Sequence, residues 1–156
     1  MPTRLIAVRH AKPEPAADYP DDALRPLSEE GSQVQRAVAA YLHDLGVRVD
    51  MAYTSPLLRA LQTAEILVEA LGGDLHTEES LGPSFDDERM LQRIVPGKTT
   101  LFVGHDPTLA AFLNRCVGTL SFPGLVKSGA VLITFDEVPL FGKGEVERIV
   151  RPEDAI

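Results

Sequence analysis

The chain has 156 residues but only one cysteine, Cys116, and no tryptophan, and aromatic side chains make up just 6% of it. A single thiol cannot close an internal disulfide, so a disulfide-stapled scaffold is excluded and the fold must rest on buried apolar surface. No apolar run approaches the roughly 20 residues that cross a bilayer as a helix, so no membrane partner is expected. The opening Met1-Pro2-Thr3-Arg4-Leu5 has none of the basic stretch, apolar core and cleavage site of a signal peptide, which leads to the expectation of a cytoplasmic protein. Positive charge is scarce as well: 15 Lys and Arg face 23 Asp and Glu, a formal charge of −8. Such a surface repels nucleic acid and anionic lipid, and any anion site must gather its cations locally. The four histidines include no pair at ligand spacing. A structural metal site is therefore not expected, and no cofactor is called for.

What is present suits a globular core. Hydrophobic residues make up 44% of a chain without repeats, low-complexity tracts or linkers, which points to one domain over residues 1–156. Arg4–Val8 is a short β-branched-rich run, readable as a strand buried on both faces, and it stops at Arg9-His10. From Ala11 to Leu27 four prolines and several acids interrupt any regular pattern, so this segment is expected to form a flap. Ser28 is a good N-cap, followed by Glu29 and Glu30, and Val34, Ala37, Val38, Tyr41, Leu42 and Leu45 mark one helical face ending at Gly46. A strand from about Val49 to Tyr53 leads through Thr54-Ser55-Pro56 into a second helix carrying Leu57, Leu61, Ala64, Leu67, Val68 and Leu71. An irregular stretch and a weak helix near Asp87–Ile94 precede a buried strand, Thr99–Val103, and Asp106-Pro107 opens a third helix with Asp106 as its N-cap. Ala130–Phe135 and Glu145–Val150 read as a terminal hairpin. The alternation predicts an α/β fold, a three-layer α/β/α sandwich with a mainly parallel sheet and an antiparallel edge strand.

Three of the predicted strands are followed at once by groups suited to phosphate: Arg9-His10, Arg59 and His105. Ligands of open α/β sheets bind outside the carboxyl ends of the strands, so these side chains can meet although about a hundred residues separate them. Two arginines can grip phosphate oxygens bidentately, a neutral imidazole can attack phosphorus in line, and a second histidine can stabilise the transferring group. Other phosphate chemistries fit poorly. Cys116 has Phe122, not arginine, six residues later, and Gly97-Lys98-Thr99 lacks the first P-loop glycine, Gln92 standing in its place, and precedes a strand. His43 and His76 lie off these strand ends and are not site candidates.

Val8-Arg9-His10-Ala11 resembles the Arg-His signature of the histidine phosphatase superfamily. The run from Ser55-Pro56-Leu57-Leu58-Arg59 to Ala64 resembles its second motif, and Val103-Gly104-His105-Asp106-Pro107 its third, in the same order and spacing. Leu24-Arg25-Pro26-Leu27-Ser28-Glu29-Glu30-Gly31 is most similar to the compact SixA-like phosphohistidine phosphatases within the phosphoglycerate mutase-like group. The resemblance implies His10 as nucleophile, Arg9 and Arg59 as phosphate clamps and His105 as a further phosphate contact; Arg25 is expected to pair with flap carboxylates and can also touch substrate. It also implies metal-independent hydrolysis through a phosphohistidine intermediate, with phosphohistidine on a signalling protein as the substrate. A small phosphorylated metabolite, or phosphate binding without catalysis, are the alternatives. One departure concerns the proton donor: Leu81-Gly82-Pro83-Ser84-Phe85-Asp86-Asp87 has no counterpart of the acidic residue of the mutase-like branch. Asp106, Asp86 and Asp87 are the remaining candidates for the acid.

Overall fold

The computed structural model describes residues 1–156. Its strands are Thr3–Arg9 (β1), Met51–Thr54 (β2), Asp74–Thr77 (β3), Thr99–Gly104 (β4), Ala130–Phe135 (β5) and Glu145–Val150 (β6). Its helices are Glu29–Asp44 (α1), Leu58–Leu71 (α2), Asp87–Arg93 (α3), Thr108–Val117 (α4) and Pro152–Ala155 (α5). The strands form one sheet in the order β3-β2-β4-β1-β5-β6. β3, β2, β4 and β1 pair in parallel, whereas β5 runs against both of its neighbours. The expected antiparallel strand is thus β5, one place in from the edge, because β6 pairs along its outer side.

Side chains alternate across the strands and separate two apolar layers. Ile6 and Val8 of β1, with Leu101 and Val103 of β4, pack under Val38 and Leu42 of α1 and Leu67 and Leu71 of α2. Leu5 and Ala7, with Phe102, face the opposite layer of Met90, Leu109, Phe112 and Leu113 on α3 and α4. This is the three-layer sandwich expected from the alternation of strands and helices. No helix is long and apolar enough to cross a membrane. Cys116 is completely buried on α4, and burial pushes its thiol up to about 12. Its carbonyl accepts the N–H groups of Gly142 and Gly144, which fixes the loop entering β6.

Two local expectations are corrected, those for the stretch after α2 and for the cap of α4, and the flap gains detail. The stretch after α2 is not irregular: Asp74–Thr77 pairs with β2 as a short, largely exposed edge strand. The flap from Ala11 to Leu27 holds two 3-10 turns, Ala16–Asp18 and Asp22–Leu24, and is closed by a bridge between Pro13 and Leu27. The N-cap of α4 is Pro107, so Asp106 stands one residue further out, although its Oδ1 still accepts the N–H of Ala110 at 3.3 Å.

The start of α1 follows its sequence closely. Ser28 Oγ accepts the N–H of Gly31 at 2.9 Å, and the same hydroxyl and the Ser28 N–H both donate to the Lys12 carbonyl, at 3.1 and 3.0 Å. The flap is thereby seated on the first turn of α1. A Cβ on Gly31 would come within 2.1 Å of that Lys12 carbonyl oxygen. Gly31→Ala is expected to lower stability by about 1–3 kcal/mol through overpacking against backbone. Urea unfolding measures it, and a change smaller than about 0.5 kcal/mol would show that the flap can lift away without cost.

Candidate functional site

The backbone ladders run one residue beyond the strands and set the height of the site. The His10 N–H donates to the Gly104 carbonyl and the Ser55 N–H to the Val103 carbonyl, both at 3.0 Å. His10, Ser55 and His105 therefore lie together at the carboxyl ends of β1, β2 and β4, where open α/β sheets bind their ligands. The two imidazole rings have centroids 5.1 Å apart, inclined by 56°. A cavity of about 460 Å³ opens over them, lined by Arg9, His10, Arg25, Arg59, His105 and Asp106 among the residues singled out from sequence. It is also walled by Asp22, Lys127 and Thr108 and by Leu57 at the start of α2.

His10 is only 6% exposed, and its ring orientation is determined. Its Nδ1 lies 2.8 Å from the Ala11 carbonyl, which can only accept, so Nδ1 carries the proton and Nε2 is left with a lone pair in the neutral ring. Ala11 is itself anchored: its N–H donates to Thr63 Oγ1 at 3.0 Å, and that hydroxyl donates to the Arg59 carbonyl at 2.8 Å. Burial, reinforced by the positive charges of Arg59, Arg9 and Lys127 and opposed by the Ala11 carbonyl, lowers the His10 pKa to about 4. His105, whose Nε2 is 2.7 Å from Ser55 Oγ, is likewise lowered to about 4, by burial first and then by His10 and Arg59. Both rings are neutral near pH 7, the state in which imidazole is a nucleophile.

The arginines are held from their protein side. Arg9 Nη1 donates to the Leu125 carbonyl at 2.8 Å. Arg59 donates from Nη1 to the Asp22 carbonyl and from Nη2 to Asp22 Oδ2, each at 3.0 Å. Arg25 meets the other oxygen of the same carboxylate, with Nε 3.2 Å from Asp22 Oδ1, and reaches the Glu14 carbonyl at 3.3 Å. The Nε atoms of Arg9 and Arg59 are buried without a hydrogen-bond partner. Asp106 Oδ2 accepts the N–H of Leu125, so Asp106 braces the loop whose carbonyl holds Arg9.

Two of the acid candidates are placed elsewhere. Asp86 caps α3 by accepting the Arg89 N–H at 3.1 Å, Asp87 pairs with Arg115 at 2.9 Å, and neither lines the cavity. The reason is the anchoring of α3 to Glu78. Burial would raise this carboxyl, but the Ser80 N–H and the Arg89 and Arg93 guanidinium groups overcome that and hold it at about 2. Sequence reasoning missed Asp22, Lys127 and the pairing of the Ser55 hydroxyl with His105. Lys127 reaches the cavity because Ser128, with a positive φ of 63°, donates its N–H to the Arg9 carbonyl at 3.0 Å. No signal in the sequence pointed there, because the approach of Lys127 depends on the antiparallel register of β5 on β1, which places Ala130 beside Val8.

A family model described as histidine phosphatase superfamily (branch 1) matches residues 5–82. An uncharacterized protein of Picosynechococcus sp. is 37% identical over 111 residues, covering 67% of each chain. The solved structure of the protein histidine phosphatase SixA complexed with tungstate superposes with a TM-score of 0.83 at 22% identity, over 97% of this chain and 98% of that one. A structure described as a SixA phosphohistidine phosphatase from Agrobacterium tumefaciens gives 0.82 at 25% identity, over 97% and 99%.

The lowered histidine pKa values have a measurable consequence. In a ring-nitrogen NMR titration His10 should stay neutral on acidification from its ordinary 6.5 and protonate only near about 4. The unfolded chain takes up that proton at the ordinary value, so stability should fall as pH drops through the window from 6.5 towards about 4. A His10 midpoint near 6.5 would show that the ring is hydrated.

Proposed function

The chain belongs to the histidine phosphatase superfamily, and we propose that it is a metal-independent phosphatase in which His10 Nε2 takes up the phosphoryl group. The observation that carries this reading is a buried, neutral His10 whose free Nε2 belongs to a cavity walled by Arg9, Arg25, Arg59 and Lys127. In the first step the Nε2 lone pair forms a bond to phosphorus while the bond to the leaving group breaks, leaving phosphohistidine. In the second, water attacks phosphorus, the P–N bond breaks, and inorganic phosphate leaves with His10 neutral again. Arg9 and Arg59 grip the equatorial oxygens as charge spreads over them, and His105, fixed by Ser55, contacts the same oxygens. Metal independence is supported by the make-up of the site: guanidinium and imidazole groups supply the positive charge, and no three His, Cys, Asp or Glu side chains are grouped to hold an ion.

For the substrate we propose phosphohistidine on a signalling protein. The likeness to SixA structures supports it, one of them holding tungstate, an oxyanion of the same shape as phosphate. The acids support it too. Asp86 and Asp87 lie off the cavity and Asp106 is tied to two backbone N–H groups, whereas a nitrogen leaving group needs less help from a protein acid than an alkoxide does. A phosphomonoesterase acting on a small metabolite is the second reading, favoured by the single fact that Asp106 lines the cavity.

His10→Ala should abolish turnover and leave the fold intact, and rapid quenching of the wild-type chain without acid should trap labelled phosphate on His10. Turnover near the wild-type rate in His10→Ala would end the covalent mechanism. In a panel at matched concentrations, a phosphorylated histidine-containing domain should be hydrolysed faster than sugar phosphates. EDTA should leave the rates unchanged and tungstate should inhibit. Preference for sugar phosphates would move the function to the ester reading, and loss in EDTA restored by a divalent ion would overturn metal independence.

A further inference from the structure

We infer that Asp22 sets the affinity and charge selectivity of the site by competing with incoming oxyanions for Arg59 and Arg25. This rests on the proposal that Arg59 grips the phosphoryl group. One Asp22 carboxylate bridges the two arginines: Oδ2 accepts from Arg59 Nη2 at 3.0 Å, and Oδ1 lies 3.1 Å from Arg25 Nη2 and 3.2 Å from Arg25 Nε. An anion accepting from two guanidinium forks is what the same arginines would offer a phosphoryl group. The Asp22 carboxylate therefore uses the donors that a phosphate oxygen needs.

Of the two partners, Asp22 is the cheaper one to displace. The Arg59 side chain is 9% exposed and stands in the first turn of α2, inside the sandwich. The Asp22 side chain is 59% exposed, on the short turn Asp22–Leu24 of the flap, and loses little by turning into water. Charge decides the exchange. A phosphoryl group carries nearly two negative charges at neutral pH and presents several acceptor oxygens, so it outcompetes a carboxylate for the arginines. A singly charged carboxylate or halide gains nothing over Asp22 and is turned away. The same competition returns Asp22 to the arginines as phosphate departs, which limits inhibition by product.

The test compares the full-length wild type with Asp22→Asn and Asp22→Ala, titrating tungstate and inorganic phosphate by calorimetry and following hydrogen exchange of residues 16–25. Both variants should bind both oxyanions about two- to fivefold more tightly, the range expected for releasing an arginine from a partly exposed ion pair. Acetate, too weak to displace Asp22 in the wild type, should become a measurable competitor. Tungstate should speed exchange across the flap in the wild type and not in the variants. Unchanged or weaker binding in both variants would overturn the inference, showing that Asp22 orients Arg59 for the ligand. Wild-type protein that binds no tungstate at all would instead remove the phosphatase reading on which the inference rests.

Discussion

β1 is hydrogen-bonded to β4 on one side and to β5 on the other, and both ladders run on past the strand end. The residue after the strand has no choice of height: the His10 N–H is taken by Gly104, and the Arg9 carbonyl by Ser128. What enters as a strand of apolar residues buried on both faces leaves as a rigid mount for an imidazole. Three further groups of the site are placed by sheet pairing, His105 directly after β4, Ser55 through a third ladder that joins β2 to β4, and Lys127 through the entry to β5. A loop-built site has to order its backbone when ligand arrives, whereas this one has its backbone bonds already satisfied by the sheet.

The electrostatic arrangement works against the bulk charge of the chain. At −8 overall, the molecule gathers three arginines and a lysine around two uncharged rings. Burial and neighbouring cations act in the same direction on those rings, so neither can relieve the positive crowding by losing a proton it already lacks. Some of the crowding is relieved by carbonyl oxygens: Leu125 for Arg9, Asp22 for Arg59 and Glu14 for Arg25. A backbone acceptor holds a guanidinium in place without cancelling its charge, which leaves the Arg9 charge available to an anion, whereas Arg59 and Arg25 share the Asp22 carboxylate as well.

How much of this could be read from residues alone depended on whether the cause was local. Ser28 announced the start of α1 because its cap bond spans three residues, and the apolar periods of α1 and α2 made their buried faces legible. Arg9-His10, Arg59 and His105 stood out because each follows a recognisable strand at a fixed short distance. β3 did not, since Asp74–Thr77 is short, lies at the sheet edge and has only one half-buried residue, leaving no alternation to see. Asp22 and Lys127 sit in segments without periodicity, and their approach to the site depends on pairings over dozens of residues. Asp106 was misjudged by one residue: an acid before proline suits a cap, but the helix begins later and one of its carboxylate oxygens serves a distant loop.

Cys116, by contrast, is a side chain from which nothing is asked except volume. Completely buried on α4 and pushed up to about 12 by that burial, it holds essentially no thiolate at neutral pH. Thiolate is the form that attacks peroxide, and imidazole has no matching series of sulfur oxidation states. A cavity lined by histidines and arginines, in a chain whose one sulfhydryl is sealed away, therefore has no oxidisable cysteine through which reactive oxygen could silence it.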